Sequence, residues 1–372
     1  MNEFVLPPYP YDRLNQYKAR ATERHGSIID MSIGAPHDPP PDAVIDALGD
    51  SNAERGYPPS IGSVEFRRAV ADWLESQCGV TISIDDVAAT VGLKEFVSGL
   101  PHWLHLRDPS KDTVLYPAVS YPSYAMGAEL AGCRAVPVPV DDEWRIRLDQ
   151  IDPEDADRAL LLWINTPGNP AGGLDDLAQA ANWGRANNVP VVSDECYIEF
   201  TWDGPKQTIL QHGSEGVLAV HSLSKRSNLA GVRAGYYAGD HELVHWLKEI
   251  RKHVGAMMPG PSQHAAAVAL GDQDHVEAQK AAYRRRMEAM ISFLAKIGLD
   301  APMPGGGFYL WVKTPTGDGW TLAEELADRF GLIVSPGEFY GEVSSNYVRI
   351  AVVQDDAAIA ELEQRLANEQ GR

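Results

Sequence analysis

Residues 217–239, VLAVHSLSKRSNLAGVRAGYYAG, constrain this chain most, because they place a single lysine on a short polar loop between two apolar runs. The run 217–220 is apolar without alternation, which is typical of a strand covered on both faces. Lys225 lies among serines and arginines. Nearby positive charges lower the pKa of a lysine amine and so favour its neutral form, which can attack a carbonyl carbon. Hydroxyl and guanidinium groups close by suit a phosphate. The alternative is an exposed basic loop that is rich in serine.

The charge of the chain limits its partners. Its 372 residues carry 32 basic and 52 acidic side chains, a net charge of −20, which argues against nucleic acid. We expect no membrane partner, because no apolar run reaches the length that spans a bilayer and no signal peptide is evident. Three widely spaced cysteines, Cys78, Cys133 and Cys196, are typical of reduced thiols in a cytoplasmic protein.

Apolar strands alternate with helical patterns from about residue 85 onwards. The predicted strands cover residues 87–91, 113–116, 134–138, 160–165, 189–193 and 217–220. This alternation predicts an α/β fold with a mostly parallel sheet and helices on both faces. Ligands of such sheets bind at the carboxyl ends of the strands.

The segment at residues 257–261, MMPGP, has the composition of a hinge and indicates the start of a second domain. The expected division of the chain is an N-terminal arm with part of a small domain over 1–45, a large cofactor-binding domain over 46–256, and a C-terminal small α+β domain over 257–372. In the last of these, Thr321 and Glu324 form a capping-box pattern at the start of a helix, and Gly331 suits its end.

Two polar segments follow predicted strands of the large domain. Gly92, Lys94 and Glu95 open a helix, where backbone amides can face an anion. The loop over 165–172, NTPGNPAG, has the composition of a rigid turn and contains Asn169. A plain strand-to-helix turn and an ordinary loop explain these segments as well.

Two charged residues occupy positions where burial is costly. Asp194 directly follows a core strand and needs a cation beside it, and an ion pair or a helix cap is the alternative to a catalytic role. Arg349 lies in an apolar strand, where its planar fork suits a carboxylate, and its alternative is a structural ion pair. With Lys225 these residues supply an amine, a buried acid, an anion site and a carboxylate clamp, which pyridoxal phosphate requires of a protein.

The chain resembles the fold-type I, class I/II aminotransferases over nearly its whole length, and is most similar to those of the actinobacterial succinyldiaminopimelate type. The motifs behind this resemblance include GYPPSIGSVEFRRAV, YPAVSYPSYAMGAELAG, VVSDECY, LAVHSLSKRSNLAGVRAG and SPGEFYG. The resemblance implies a mostly parallel seven-stranded sheet between helices, with pyridoxal 5′-phosphate as cofactor. It also implies transamination between N-succinyl-L,L-2,6-diaminopimelate and 2-oxoglutarate in lysine biosynthesis.

The resemblance also assigns roles to individual residues, with Lys225, Asp194 and Tyr197 as the catalytic ones. The residues expected to bind the cofactor are Lys225 as the Schiff-base lysine, Asp194 at the pyridine nitrogen, Tyr197 and Asn169 at the phenolic oxygen, Tyr121 stacked on the ring, and Ser222, Arg233 and the backbone amides of Lys94 and Glu95 at the phosphate. The substrate α-carboxylate is expected at Arg349, at the backbone of Gly34 and at Asn169. Tyr57 resembles a tyrosine that reaches the phosphate of the neighbouring subunit, which implies a homodimer with shared active sites.

Several alternatives stay open. Another class I/II aminotransferase, acting on aspartate, alanine or aromatic amino acids, fits the same residues, as does a C–S β-lyase. A distal substrate carboxylate requires one more cation, for which the candidates are Lys94, Arg226, Arg251 and Lys252. Residues 241–245 match the zinc motif HExxH, but Asp240 suits a helix N-cap, so we expect no metal site. A transcriptional regulator would need a DNA-binding segment, which the first residues do not supply.

Overall fold

The computed structural model describes residues 10–50 and 52–371. Residues 1–9, which belong to the expected N-terminal arm, and residues 51 and 372 lie outside the described part. The strands are β1 (Ile29–Asp30), β2 (Val87–Val91), β3 (Thr113–Pro117), β4 (Arg134–Val138), β5 (Ala159–Asn165), β6 (Val191–Asp194), β7 (Val217–Ser222), β8 (Ala234–Gly239), β9 (Tyr309–Lys313), β10 (Leu332–Ile333), β11 (Ser335–Pro336) and β12 (Tyr347–Ala351). The α-helices are α1 (Leu14–His25), α2 (Asp42–Gly49), α3 (Val64–Cys78), α4 (Leu93–Arg107), α5 (Ser123–Leu130), α6 (Pro153–Asp157), α7 (Leu177–Asn187), α8 (Leu223–Arg226), α9 (His241–Val254), α10 (Gly260–Gly271), α11 (Asp274–Lys296), α12 (Gly319–Phe330) and α13 (Asp356–Gln370).

A seven-stranded sheet forms the centre of the larger unit, with the order β2-β8-β7-β6-β5-β3-β4. Strand β8 runs antiparallel to both β2 and β7, and the other neighbours in the sheet are parallel. This confirms the predicted mostly parallel sheet, and each of the six predicted strands is present with ends shifted by at most two residues. Because β8 is reversed, its first residue lies at the edge where the neighbouring strands end.

Helices cover both faces of this sheet, as predicted. Side chains of the central strands divide between two apolar clusters. In β5, Leu162 and Ile164 belong to one, and Leu161 and Trp163 to the other. The first cluster includes residues of α2, α3, α7 and α10, and the second includes residues of α4, α5 and α9. Burial on both faces explains why β5 is apolar along its length until it ends at Asn165.

The chain divides into two compact units whose boundaries differ from the expected ones. The larger unit comprises residues 35–284 and 304–307, and the smaller one comprises residues 1–34, 285–303 and 308–372. Residues 257–284, expected in the small domain, thus belong to the larger unit, where α10 packs against α2 and α3. The side chain of Gln263 fixes this packing, because its Oε1 accepts a hydrogen bond from the Ser63 backbone at 2.6 Å.

The smaller unit contains the antiparallel sheet β11-β12-β9 and the parallel pair β1-β10, and α1 packs against α12. The predicted cap of α12 is wrong. Asp318, three residues before Thr321, is the N-cap, and its carboxylate accepts hydrogen bonds from the backbone amides of Trp320 and Thr321. Gly331 ends the helix with a φ of +62°, as predicted. Over residues 10–50 and 52–371, every helix is too short or too polar to cross a membrane.

Candidate active site

The register of the central sheet brings the predicted polar residues to one edge. Asn165 at the end of β5 is paired with Asp194 at the end of β6. Asp194 is paired with Val220 of β7, which ends two residues later at Ser222. On the other side of β8, Ala234 is paired with Val91, so the preceding Arg233 lies next to the end of β2. These pairings bring together residues from four separate segments of the sequence.

Asp194 is a buried carboxylate held by two hydrogen-bond donors. Its side chain oxygens accept hydrogen bonds from the Tyr124 hydroxyl at 2.8 Å and from the Cys196 backbone amide at 3.1 Å. Burial raises the pKa of Asp194 above its ordinary value, although both donors act in the opposite direction. A carboxylate in such a site gains stability from a cationic ligand group beside it.

The loop after β5 is anchored on the Asp194 backbone, which explains how Asn169 is positioned. Asn165 Nδ2 donates to the carbonyl oxygen of Asp194 at 2.9 Å, and Asn165 Oδ1 accepts from the Asn169 backbone amide at 2.8 Å. Gly172 in this loop has a φ of +72°, and a Cβ there would lie 2.5 Å from the carbonyl oxygen of Gly306. The loop is therefore tied to the sheet edge through side-chain and backbone contacts.

Lys225 lies in the short helix α8, directly after β7. Ser222 caps this helix, since its Oγ accepts a hydrogen bond from the Ser224 backbone amide at 3.1 Å. Burial and the Asp194 charge raise the pKa of the Cys196 thiol well above its ordinary value, and the charge of Lys225 opposes them. Lys225 therefore lies within electrostatic reach of Cys196, whose backbone amide contacts Asp194.

Arg233 lies close against the turn between β2 and α4. Gly92 has a φ of +66°, and a Cβ at this position would lie 2.1 Å from Arg233 Nη2, so only glycine leaves room for the guanidinium. Lys94 is exposed. Glu95 lies in the first turn of α4, and its carboxylate accepts a hydrogen bond from the Val91 backbone amide at 2.9 Å.

The aromatic residues predicted at the site differ in exposure. The Tyr121 ring meets the Tyr124 ring edge to face with centroids 6.0 Å apart, and Tyr124 stacks on Trp163 at 4.9 Å. Tyr197 is buried, whereas Tyr57 is 96% exposed in this single chain. An aromatic side chain with that exposure is available to a second subunit.

Two of the four candidates for the cation at a distal carboxylate are engaged inside the protein. Arg251 is fully buried and pairs with Glu95 at 2.7 Å. Arg226 is 5% exposed and pairs with Glu199 at 3.1 Å. These ion pairs disfavour the two arginines as the cation for a distal carboxylate, because each guanidinium already has a carboxylate partner. Lys252 is exposed and forms an ion pair with Glu249 at 2.7 Å, while Lys94 is exposed at the start of α4.

Arg349 and Gly34 lie in the smaller unit. Arg349 is 3% exposed, and its Nη2 donates to the carbonyl oxygen of Ser32 at 2.7 Å. The rings of Tyr309 and Tyr340 lie 4.3 and 4.8 Å from the guanidinium carbon. A Cβ on Gly34 would lie 2.1 Å from the Tyr309 hydroxyl, so a side chain at Gly34 would displace Tyr309.

Sequence reasoning missed two side chains that organise this edge, Tyr124 and Asn165. Tyr124 lies in the first turn of α5, and Tyr121 precedes that helix. Asn165 is the last residue of an apolar strand, where an amide side chain meets the neighbouring strand end. At the unused HExxH motif, Asp240 caps α9 as expected, and the His241 ring is hydrogen-bonded to Asp86 at 2.6 Å.

Comparison with known proteins gives the family of this chain. The family model for aminotransferase class I and II matches residues 26–366, and the chain belongs to this family. It is 38% identical over 369 residues, covering 97% of this chain and 99% of the relative, to the 4-dedimethylamino-4-oxo-anhydrotetracycline transaminase OxyQ of Streptomyces rimosus. It is 34% identical to the LL-diaminopimelate aminotransferase of Aquifex aeolicus, covering 98% of this chain and 97% of the relative.

A solved structure supports the same classification. The probable N-succinyldiaminopimelate aminotransferase of Thermus thermophilus matches with a TM-score of 0.87 and 27% identity, covering 96% of this chain and 99% of that chain. Members of this family use pyridoxal 5′-phosphate, and this chain is a pyridoxal-phosphate-dependent aminotransferase. The residues present fit the cofactor, because the sheet edge offers one amine, one buried carboxylate held by donors, and a guanidinium beside a glycine turn.

The contact between Tyr124 and Asp194 predicts the effect of Tyr124→Phe, which keeps the stacked ring and removes the hydroxyl. A hydrogen bond to a charged group contributes about 1.5–3 kcal/mol, so we expect kcat/KM to fall about 10-fold or more. Loss of a donor raises the pKa of Asp194 further above its ordinary value, so its charged form is lost at a higher pH. The acid limb of the pH–rate profile therefore moves to higher pH.

Tyr237→Phe is the matched control for this experiment. Tyr237 is buried in the same sheet and stacks on Phe96 at 4.6 Å, but its hydroxyl has no hydrogen-bond partner within residues 10–50 and 52–371. We expect the control to keep the wild-type pH profile. Equal losses in the two variants would contradict a specific role of the Tyr124 hydroxyl.

Proposed function

We propose that this aminotransferase transfers the amino group of N-succinyl-L,L-2,6-diaminopimelate to 2-oxoglutarate in the diaminopimelate route to lysine. The observation that carries the reaction type is the buried Asp194 carboxylate at the sheet edge. Lys225 lies near it, because the charges of both residues act on the Cys196 thiol. The substrate proposal is supported by likeness over the whole chain to the two relatives from Aquifex aeolicus and Thermus thermophilus. The names of these two proteins refer to diaminopimelate or its succinyl derivative.

We assign the proton transfers to Lys225. Pyridoxal 5′-phosphate supplies an aldehyde that binds amines and a ring that withdraws electrons from the bound amino acid. Lys225 Nζ would hold the cofactor covalently at rest and, once displaced by substrate, would move a proton to and from the substrate Cα. The same residue then serves both half-reactions, so the kinetics are ping-pong.

The residues around Lys225 would hold the cofactor ring. Asp194 would keep the ring nitrogen protonated, because a buried carboxylate stabilises a positive charge next to it. Tyr197 and Asn169 would hydrogen-bond the phenolic oxygen, and Tyr121 would stack on the ring. The anchoring of Asn169 by Asn165 supports this assignment.

The phosphate would be bound by Ser222, Arg233 and the backbone amides of Lys94 and Glu95. The close approach of Arg233 to Gly92 supports a cationic cradle at this turn. In a homodimer with shared active sites, Tyr57 would reach the phosphate bound by the other subunit, and its exposure supports this role.

The substrate α-carboxylate would be bound by Arg349, by the backbone at Gly34 and by Asn169. The planar guanidinium of Arg349 already has its position fixed by Ser32 and by two tyrosine rings. For the distal carboxylate, the exposure of Lys94 favours it over the two buried arginines. We place the reaction in the cytoplasm, which is supported by the free thiols of Cys78, Cys133 and Cys196.

A second candidate substrate class follows from the 38% identity to OxyQ, whose name describes a transaminase for 4-dedimethylamino-4-oxo-anhydrotetracycline. An aromatic polycyclic ketone would replace 2-oxoglutarate as amino acceptor. Such an acceptor has no need for a cation at a distal carboxylate, so the two candidates differ in their dependence on Lys94.

The attachment of the cofactor gives a direct test of Lys225. Borohydride reduction of the yellow holoenzyme, followed by proteolysis and mass spectrometry, should place the cofactor on the peptide that contains Lys225. Lys225→Ala should remain folded and lose more than about 1000-fold in kcat, because no other amine replaces the general base. Recovery of the cofactor on another lysine peptide would refute the assignment.

A screen of amino donors with 2-oxoglutarate tests the proposed substrate. Succinyldiaminopimelate should give the highest kcat/KM among succinyldiaminopimelate, LL-diaminopimelate, glutamate, aspartate, alanine and aromatic amino acids. Lys94→Met should raise the KM for succinyldiaminopimelate about 10-fold and leave that for alanine unchanged, since alanine lacks a distal carboxylate. A higher kcat/KM for any other donor overturns the proposal, and cleavage of cystathionine in preference to transamination would indicate a β-lyase.

A further inference from the structure

A buried ion pair joins the two segments that carry Lys225 and Tyr197. Arg226 directly follows Lys225, and Glu199 follows Tyr197 by two residues. Arg226 Nε donates to Glu199 Oε1 at 3.1 Å, and the two side chains are 6% and 1% exposed. A buried ion pair is costly unless its remaining donors and acceptors are also satisfied.

The remaining donors of Arg226 are directed at the end of α10 and the residues around it. Its Nη1 donates to the carbonyl oxygen of Ala269 at 2.6 Å and to Ser227 Oγ at 3.2 Å. Its Nη2 donates to Gln273 Oε1 at 3.1 Å. The planar guanidinium thus contacts four residues at once, which fixes its orientation and with it the backbone next to Lys225.

The carboxylate of Glu199 is held from several sides. Oε1 also accepts from Trp73 Nε1 at 3.1 Å, and Oε2 accepts from Gln273 Nε2 at 3.1 Å and from Lys206 Nζ at 2.6 Å. Burial alone would raise the pKa of Glu199, but the charges of Arg226 and Lys206 outweigh burial and hold that pKa below its ordinary value. The carboxylate therefore stays charged and paired at neutral pH.

We propose that the Arg226–Glu199 ion pair positions Lys225 and Tyr197 relative to each other for catalysis. The inference rests on the roles proposed above for these two residues. In this account Arg226 is a positioning residue that does not bind the distal carboxylate of the substrate. The consequence is kinetic, because a displacement of a reacting group by about 1 Å can lower the rate by about 100-fold.

Lys206 provides the comparison that separates positioning from a general effect on the buried cluster. It pairs with the same carboxylate and is 13% exposed, but its other hydrogen bond goes to Gln77 Oε1 in α3 at 2.9 Å. Removal of either cation leaves Glu199 with one ion pair fewer. Removal of Arg226 alone releases the backbone beside Lys225.

The test uses the holoenzymes of Arg226→Met and Lys206→Met, compared at a temperature at which both are folded by circular dichroism. We expect Arg226→Met to lower kcat by about 10- to 100-fold with little change in KM. The pH midpoint of the cofactor's visible absorption should move by roughly half a unit or more, because the surroundings of the lysine that holds the cofactor are altered. Lys206→Met should lower the melting temperature but keep kcat and the absorption midpoint of the wild type.

Equal kcat in the two variants, or an unchanged absorption midpoint in Arg226→Met, would overturn the inference. Where Arg226→Met does not fold, Arg226→Lys keeps the charge and loses the fork, and it should show the same changes at smaller size. The absorption readout needs no particular amino donor, so a wrong substrate proposal leaves this test intact. Peptide mapping of the wild-type enzyme shows separately whether Lys225 holds the cofactor.

Discussion

The burial of the Asp194 carboxylate is the interaction on which the site depends. A charged oxygen pair at the end of a core strand is expensive, and the two donors from Tyr124 and Cys196 offset only part of that cost, since the pKa of Asp194 remains raised. A positively charged ring nitrogen beside the carboxylate would supply the missing stabilisation. With Asp194 in its proposed place, the fold would bind the cofactor most strongly in the protonation state that withdraws electrons best.

The sheet topology explains why the other groups are close to this carboxylate. Parallel neighbours β5 and β7 end beside β6, which brings Asn165 and the Lys225 helix to the same edge. The reversed strand β8 adds Arg233 at its beginning, where Gly92 leaves space for the guanidinium. A second layer of contacts, which includes the buried Arg226–Glu199 pair, fixes these segments in turn.

Features set by local pattern could be predicted from the sequence, and features set by distant partners could not. The strands β2 to β7 and the carboxylate after β6 follow from apolar runs and the residue that ends each of them. The ion pairs of Arg226 and Arg251 could not be predicted, because their partners, Glu199 and Glu95, lie 27 and 156 residues away in sequence. The placement of α10 likewise depends on α2 and α3, which no local pattern near residue 260 reveals.

The protonation state of the cofactor ring tests this account most directly. Holoenzyme reconstituted with pyridoxal 5′-phosphate that carries ¹⁵N in the ring can be measured by nitrogen NMR between about pH 6 and 9, a range well above the ordinary pKa of a carboxyl group. The account predicts a protonated ring nitrogen throughout this range in the wild-type enzyme and a neutral one in Asp194→Ala. A neutral ring nitrogen in the wild-type enzyme would contradict it.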